Sequence, residues 1–181
     1  MPAIEPFSYQ EHYLACEEVP LPVVAAQVGT PAYVYSTAEL RRRARTFRQS
    51  AGEDALVCYA VKANGNPAIL KLLGEEGLGA DVTSGGELYL ALQAGIAPHK
   101  IVYSGVGKRG DEIEMALHAG VGALHVESEM EFDLIANIAS RFEQSTRIAE
   151  RVNPDIGAET HPYDSTGRLV HKFGLPRETA V

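Results

Sequence analysis

Short apolar runs alternate with longer amphipathic segments along most of the chain. Six such runs are AYVYS (32–36), ALVCYAV (55–61), LGADVT (78–83), KIVYS (100–104), GALHVE (122–127) and RIAERVN (147–153). From the second run onward they recur roughly every two dozen residues. A strand that returns parallel to its neighbour needs a crossover long enough to hold a helix. The pattern therefore predicts repeated βα units and a parallel sheet.

The starts of the intervening helices share a sequence signature. Serine is followed by glutamate three positions later at Ser36–Glu39, Ser84–Glu87 and Ser128–Glu131, which is the capping-box pattern. Asn66–Pro67 and Asp111 mark two further starts by the same logic of N-cap and first-turn residues. Two helices, ELYLALQAG and EIEMALHAG, close on a glycine suited to the left-handed conformation at a helix end.

The number of units leaves two α/β architectures to consider. We place five barrel-type strands, ending near Val61, Val82, Tyr103, Val126 and Val152, and AYVYS as an extra strand before them. A closed (β/α)₈ barrel needs eight strands and about 250 residues. An open doubly wound sheet can be complete with five, but its G-x-G-x-x-G fingerprint is absent. The run SGVGKRG lacks the first glycine and the final Ser or Thr of a P-loop, so we interpret it as a tight turn.

Composition narrows the classes of function. The chain has 181 residues, 45% hydrophobic and 22% charged, which is typical of a globular protein. No apolar run approaches the roughly 20 residues that span a bilayer, and the first residues lack a signal-peptide pattern, so we expect a cytoplasmic protein. The net charge of −8 disfavours nucleic acid as a partner.

Neither the arginine run nor the cysteines indicates a site. ELRRRARTFR reads as a helix with an exposed charged face, and Leu40, Ala44 and Phe47 recur at helical spacing on the core side. Cys16 and Cys58 lie far apart without a CxxC partner, so neither a metal site nor a disulfide is expected.

Most lysines at strand ends are solvated surface groups, but the residues around Lys62 make it a candidate for chemistry. It follows an apolar strand directly, and active sites of parallel βα proteins lie at the carboxyl ends of their strands. A lysine held partly out of water favours its neutral amine, which can attack a carbonyl carbon to form a Schiff base. Asp81 and Arg151 occupy the equivalent regions of two other units. We expect the three side chains to converge at one mouth.

Seven ordered segments resemble one enzyme family. They are YAVKANGNPAIL, GLGADVTSGGELYLALQAG, KIVYSGVGK, VES, RVNPDI, THPYDSTG and HKFG. Together, over residues 29–175, they are similar to the barrel domain of the diaminopimelate decarboxylases, which use pyridoxal 5'-phosphate. Ornithine, arginine and carboxynorspermidine decarboxylases and alanine racemases share this fold and the strand that bears the lysine.

The resemblance implies roles for individual residues. Lys62 would hold pyridoxal 5'-phosphate as a Schiff base, with Asp81 and Arg151 in the pocket near the cofactor. Lys172 in HKFG would lie toward the active-site edge and the dimer contact. Asp164 departs from the family pattern, which usually has an apolar residue there, and His161 reads as a surface or structural histidine.

The resemblance also implies an organisation and a reaction. Residues 1–28 would form an N-terminal segment that packs with a β domain, and residues 29–181 an incomplete pyridoxal-phosphate-binding (β/α)₈ barrel. The family enzyme is a homodimer of chains more than twice this length, so we expect an N-terminal fragment that is inactive alone. The implied reaction converts meso-2,6-diaminopimelate to L-lysine, the last step of lysine biosynthesis. Two alternatives stay open: a sister decarboxylase, and a short non-catalytic protein that binds the cofactor or a partner.

Overall fold

A small antiparallel sheet and one helix open the described part of the chain. The computed structural model describes residues 5–153 and 174–176. Strands β1 (Phe7–Gln10), β2 (Tyr13–Cys16) and β3 (Val19–Pro20) form an antiparallel meander, and helix α1 (Leu21–Val28) follows directly. Glu17, in the turn after β2, ties this unit to the next helix. Its carboxylate accepts hydrogen bonds from the Ser36 hydroxyl at 2.7 Å and the Ala38 amide at 2.9 Å.

A five-stranded parallel sheet forms the centre of the protein. Its strands are β4 (Cys58–Ala60), β5 (Gly79–Val82), β6 (Ile101–Tyr103), β7 (Ala123–Val126) and β8 (Ile148–Glu150). The helices are α2 (Thr37–Ala51), α3 (Pro67–Glu75), α4 (Gly85–Gln93), α5 (Gly110–Ala119) and α6 (Glu129–Arg141). The prediction of βα units with a parallel sheet is confirmed.

The order of the strands distinguishes the two candidate architectures. The strands lie side by side in chain order, β4-β5-β6-β7-β8, so every crossover returns beside the strand that it left. A doubly wound sheet reverses its order at a switch point, whereas a (β/α)₈ barrel does not. The described sheet is therefore of the barrel type.

The main core lies between the sheet and its helices. Val82, Tyr103 and Leu124 are fully buried on the face that meets α4, α5 and α6. Side chains alternate across a strand, so neighbouring residues such as Val102 and His125 face the opposite side, where they are only half-buried. That opposite face carries Asp81 and His125.

The serines at the predicted helix starts cap the helices as expected, but the glutamates bind other amides than the capping box predicts. The serine hydroxyl accepts a hydrogen bond from the amide three residues later at Ser36, Ser84 and Ser128. In α4 and α6, however, the glutamate bonds the amide one residue before the cap. Glu87 binds the Thr83 amide at 2.6 Å, and Glu131 binds the Glu127 amide at 2.8 Å. Each carboxylate thus fixes the residue that directly follows a strand.

Three sequence-based expectations are corrected. AYVYS is not a strand: residues 32–36 pair with no described strand, and Tyr33 is 93% exposed. Phe47 does not pack on the core side of α2 with Ala44 but is 66% exposed. The last predicted strand is interrupted at Arg151, and β9 (Val152–Asn153) pairs in parallel with an unforeseen short strand, β10 (Leu175–Pro176).

Some expectations fall on residues that the structure does not describe. His161, Asp164 and Lys172 all lie outside the described ranges. Within those ranges, no helix combines the length and the apolar character needed to cross a membrane.

Candidate active site

One cavity opens at the carboxyl ends of the parallel strands. Its volume is about 660 Å³, and its wall includes the three side chains that the sequence predicted to converge. The lining residues are Lys62, Asp81, Thr83, Ser104, Gly105, Val106, His125, Glu127 and Arg151. Because each of them lies in the last part of a parallel strand or shortly after one, the cavity is a product of the sheet topology.

Lys62 lies in a single 3₁₀ turn, Val61–Ala63, that follows β4 without a break. Val61 is buried in the core, so the adjacent Lys62 is held at the rim of the cavity. The turn continues into a short polar loop in which the Tyr59 hydroxyl donates to the Asn64 carbonyl at 3.3 Å. Lys62 is exposed, so the expected partial withdrawal of its amine from water is not met by the described residues.

Asp81 is hydrogen-bonded to the neighbouring strand end rather than left open to solvent. The Ser104 hydroxyl donates to Asp81 Oδ1 at 2.5 Å, and the same hydroxyl oxygen lies 2.8 Å from His125 Nδ1. Asp81 lies in β5, Ser104 directly follows β6, and His125 lies in β7. These three strands are adjacent in the sheet. A continuous polar chain therefore crosses the cavity wall.

Arg151 is paired with a buried carboxylate. Its Nη1 donates to both oxygens of Glu127, at 3.2 and 3.0 Å. The Glu127 side chain is only 4% exposed, whereas that of Arg151 is 41% exposed. The guanidinium therefore remains accessible from the cavity while its bond to the buried Glu127 fixes its position.

The turn between β6 and α5 is held by a buried lysine. Lys108 Nζ donates to the Gly105 carbonyl at 2.8 Å and to the His125 carbonyl at 2.5 Å, and it pairs with Glu131 at 3.0 Å. Gly105 has φ of +92°, and a Cβ there would lie 3.2 Å from the Thr83 side chain. The interpretation of SGVGKRG as a tight turn is confirmed, because the Lys108 amine is used inside the protein.

Sequence reasoning found some of the cavity residues and missed others. Lys62, Asp81 and Arg151 line the cavity together, as expected. Ser104, His125, Glu127 and Thr83 were not singled out, although each ends or follows a predicted strand as Asp81 does. Applying the strand-end rule to every unit would have found them.

A second cavity, of about 360 Å³, lies near the carboxyl end of α2, away from the strand ends. It is lined by Arg45, Arg48, Gln49, Gly52 and Glu53. Arg45 binds the Glu76 carboxylate and Arg48 the Glu76 carbonyl, so these cations join α2 to the end of α3. These contacts give Arg45 and Arg48 a structural role.

Comparison with known proteins gives a consistent family. Residues 37–181 match the family model described as pyridoxal-dependent decarboxylase, pyridoxal binding domain. The diaminopimelate decarboxylase of Aquifex aeolicus is 49% identical over 167 residues, covering 92% of this chain and 40% of that protein. That of Zymomonas mobilis is 45% identical over 180 residues, covering 97% of this chain and 43% of that protein.

Solved structures agree with the sequence relatives. The diaminopimelate decarboxylase of M. jannaschii superposes with a TM-score of 0.84 at 34% identity, covering 98% of this chain and 42% of that one. The Helicobacter pylori enzyme complexed with L-lysine gives a TM-score of 0.81 at 42% identity, covering 87% and 40%. The chain spans about 40% of the length of the first of these relatives. The chain belongs to the pyridoxal-dependent decarboxylases, whose pyridoxal-binding domain it matches over most of its length.

Proposed function

We propose that the protein containing this chain decarboxylates meso-2,6-diaminopimelate to L-lysine, with Lys62 as the covalent anchor of pyridoxal 5'-phosphate. The observation that carries the proposal is the shared cavity of Lys62, Asp81 and Arg151 at the strand ends. The relatives that match most of this chain are named diaminopimelate decarboxylases, and two of the solved relatives hold L-lysine. These names support an amino acid as the substrate.

The residues present fit the cofactor. An aldehyde needs a primary amine for covalent attachment, and Lys62 offers one at the rim of the cavity. The volume of about 660 Å³ lies within the roughly 300–1,000 Å³ of small-molecule sites. When bound, pyridoxal phosphate supplies an electron sink for the electron pair that the departing carbon dioxide leaves behind.

Each of the three residues has a distinct part in this proposal. Lys62 would hold the cofactor covalently through its side-chain amine. The Asp81 carboxylate favours positive charge on nitrogen atoms in the cavity, because opposite charges stabilise each other. Arg151, held by Glu127, offers the planar donors that suit carboxylate or phosphate oxygens.

The proposal extends to organisation and location. We assign residues 1–28 to an N-terminal segment that packs with a further β domain, and residues 29–181 to the cofactor-binding barrel. The whole protein would work as a homodimer in the cytoplasm. Cys16 and Cys58 are both free thiols, which suits a reducing compartment.

Borohydride trapping tests the anchor. Reduction of the protein with bound pyridoxal phosphate should fix the cofactor on the peptide that carries Lys62, and Lys62→Ala should abolish the label. Lys71→Ala, on the exposed side of α3, is the matched control and should keep the label. A label on Lys71, Lys100 or Lys108 would contradict the assignment.

Substrate assays test the reaction. Carbon dioxide release from meso-diaminopimelate should exceed release from ornithine, arginine or carboxynorspermidine by several orders of magnitude. Lys62→Ala should lower turnover by at least about 10²-fold, which is the lower range for loss of a group that moves protons. Preference for another of these amino acids would support a sister decarboxylase, and cofactor binding without turnover a non-catalytic role.

A further inference from the structure

The hydrogen bonds at Ser104 have a defined direction. Ser104 Oγ lies 2.5 Å from Asp81 Oδ1 and 2.8 Å from His125 Nδ1, but a hydroxyl carries only one proton. An ionised carboxylate only accepts hydrogen bonds, so the serine proton goes to Asp81. The remaining contact is satisfied only if His125 carries a proton on Nδ1 and donates it to Ser104.

His125 is fixed by its backbone as well as by its ring. Its carbonyl accepts a hydrogen bond from Lys108 Nζ, which is paired with Glu131 from α6. The other charged groups of the cavity wall are Asp81, Lys62, Glu127 and Arg151. A buried lysine therefore anchors the backbone of His125, while the residue lines the polar cavity.

From this geometry we propose that Ser104 and His125 are positioning residues for Asp81. Donation from His125 to Ser104 fixes the serine hydroxyl, which in turn orients the Asp81 carboxylate in the cavity that Lys62 lines. The inference rests on the proposed function, because it assigns these residues to the site of that cofactor.

The proposed positioning of Ser104 depends on a hydrogen-bond donor at Nδ1 of His125 and not on the charge of the ring. Both the Nδ1–H tautomer and the doubly protonated ring donate from Nδ1, so either state maintains the contact with Ser104. Asparagine places an amide N–H near the position of Nδ1, whereas leucine fills similar space without a donor. His125→Asn and His125→Leu are therefore a matched pair.

Cofactor affinity across a double-mutant cycle tests the proposal. Ser104→Ala and His125→Leu should each weaken pyridoxal phosphate binding by about tenfold, the effect of one hydrogen bond to a charged group. The double variant should be no more than about threefold weaker than either single variant, because His125 acts through Ser104. His125→Asn should bind within about threefold of the parent. An additive loss of about a hundredfold in the double variant, or an asparagine variant as weak as the leucine one, would overturn the proposal.

Two further measurements separate this inference from the proposed function. The pH midpoint of the bound cofactor's absorption band should move in the same direction in Ser104→Ala and His125→Leu and return in His125→Asn. His99→Asn, at an exposed histidine in the turn before β6, should leave affinity and midpoint unchanged. If the parent does not take up the cofactor, the proposed function fails. Nitrogen NMR shifts of His125 then decide the inference: a proton on Nδ1 supports the hydrogen-bond chain, and one on Nε2 alone overturns it.

Discussion

Lys108 organises the mouth of the sheet from inside the protein. Its side chain is 1% exposed, and its three ammonium protons meet three acceptors: the Gly105 and His125 carbonyls and the Glu131 carboxylate. Glu131 in turn binds the Glu127 amide, and Glu127 holds Arg151. One buried ion pair therefore supports both ends of the cavity wall.

Breaking that pair should be costly. Lys108→Met leaves the Glu131 carboxylate buried without a counter-charge, and such a loss lowers the free energy of unfolding by about 3–5 kcal/mol. Urea denaturation of the protein containing this chain measures it. Arg109→Ala removes a pair that is 74% and 64% exposed, so it should change stability by less than about 1 kcal/mol. Equal losses in the two variants would show that burial of Lys108 does not matter.

The contact that Glu76 makes between α2 and α3 should weaken in acid. Hydrogen bonds from Arg45 and Arg41 lower the pKa of its carboxyl from 4.5 to about 2. A carboxyl whose pKa is lower in the folded state contributes stability above pH 4.5 and loses it as pH falls toward 2. Thermal unfolding should therefore show a smaller drop between these pH values in Glu76→Gln than in the parent. Glu75→Gln, which removes a more exposed contact with Arg41, is the control and should leave the drop nearly intact.

At the level of single residues, the sequence predicted some of the residues that line the cavity but not the hydrogen bonds between the lining residues. Lys62, Asp81 and Arg151 could be placed because strand ends converge in any parallel βα protein. The hydrogen bonds that link Ser104 with Asp81 and with His125 depend on strand register, which apolar runs alone do not specify. That is the physical reason why the polar chain could not be predicted.

The elements themselves follow local rules where those rules are strong. Ser84 and Ser128 cap α4 and α6 because their hydroxyl oxygens satisfy amides that the first helical turn leaves free. AYVYS failed as a strand because propensity for the extended state needs a neighbouring strand, and the described residues provide none. Strand β10 escaped notice because two residues after a glycine carry no periodicity.

The cap at Ser84 should be measurable and replaceable. Ser84→Ala removes the acceptor for the Glu87 amide and should lower stability by about 1 kcal/mol. Ser84→Asp keeps a side-chain oxygen and should retain most of that stability. Chemical denaturation of the three proteins side by side gives the comparison. A loss in Ser84→Asp as large as in Ser84→Ala would mean that the hydroxyl has a role other than capping.

At the scale of the whole molecule, the described sheet is open. Among the described strands, β4 pairs only with β5, and β8 pairs only with β7 in this sheet. The edge of β4 that faces away from β5 offers amide and carbonyl groups to any other chain. Among the described residues, none covers the cavity, where Lys62 is exposed and Arg151 is 41% exposed. Closure of the cavity against water therefore needs residues other than the described ones.

A polypeptide of these 181 residues alone should therefore associate and lack decarboxylase activity. Its sheet edges favour pairing between copies, and an open cavity holds the cofactor weakly because water competes for every polar contact. Light scattering after gel filtration should show oligomers whose mass rises with concentration, and no lysine should form above background. The diaminopimelate decarboxylase of Aquifex aeolicus, assayed at equal concentration, is the control for cofactor and substrate. A monomer of this length that releases carbon dioxide from meso-diaminopimelate would show that the described face is already sufficient for catalysis.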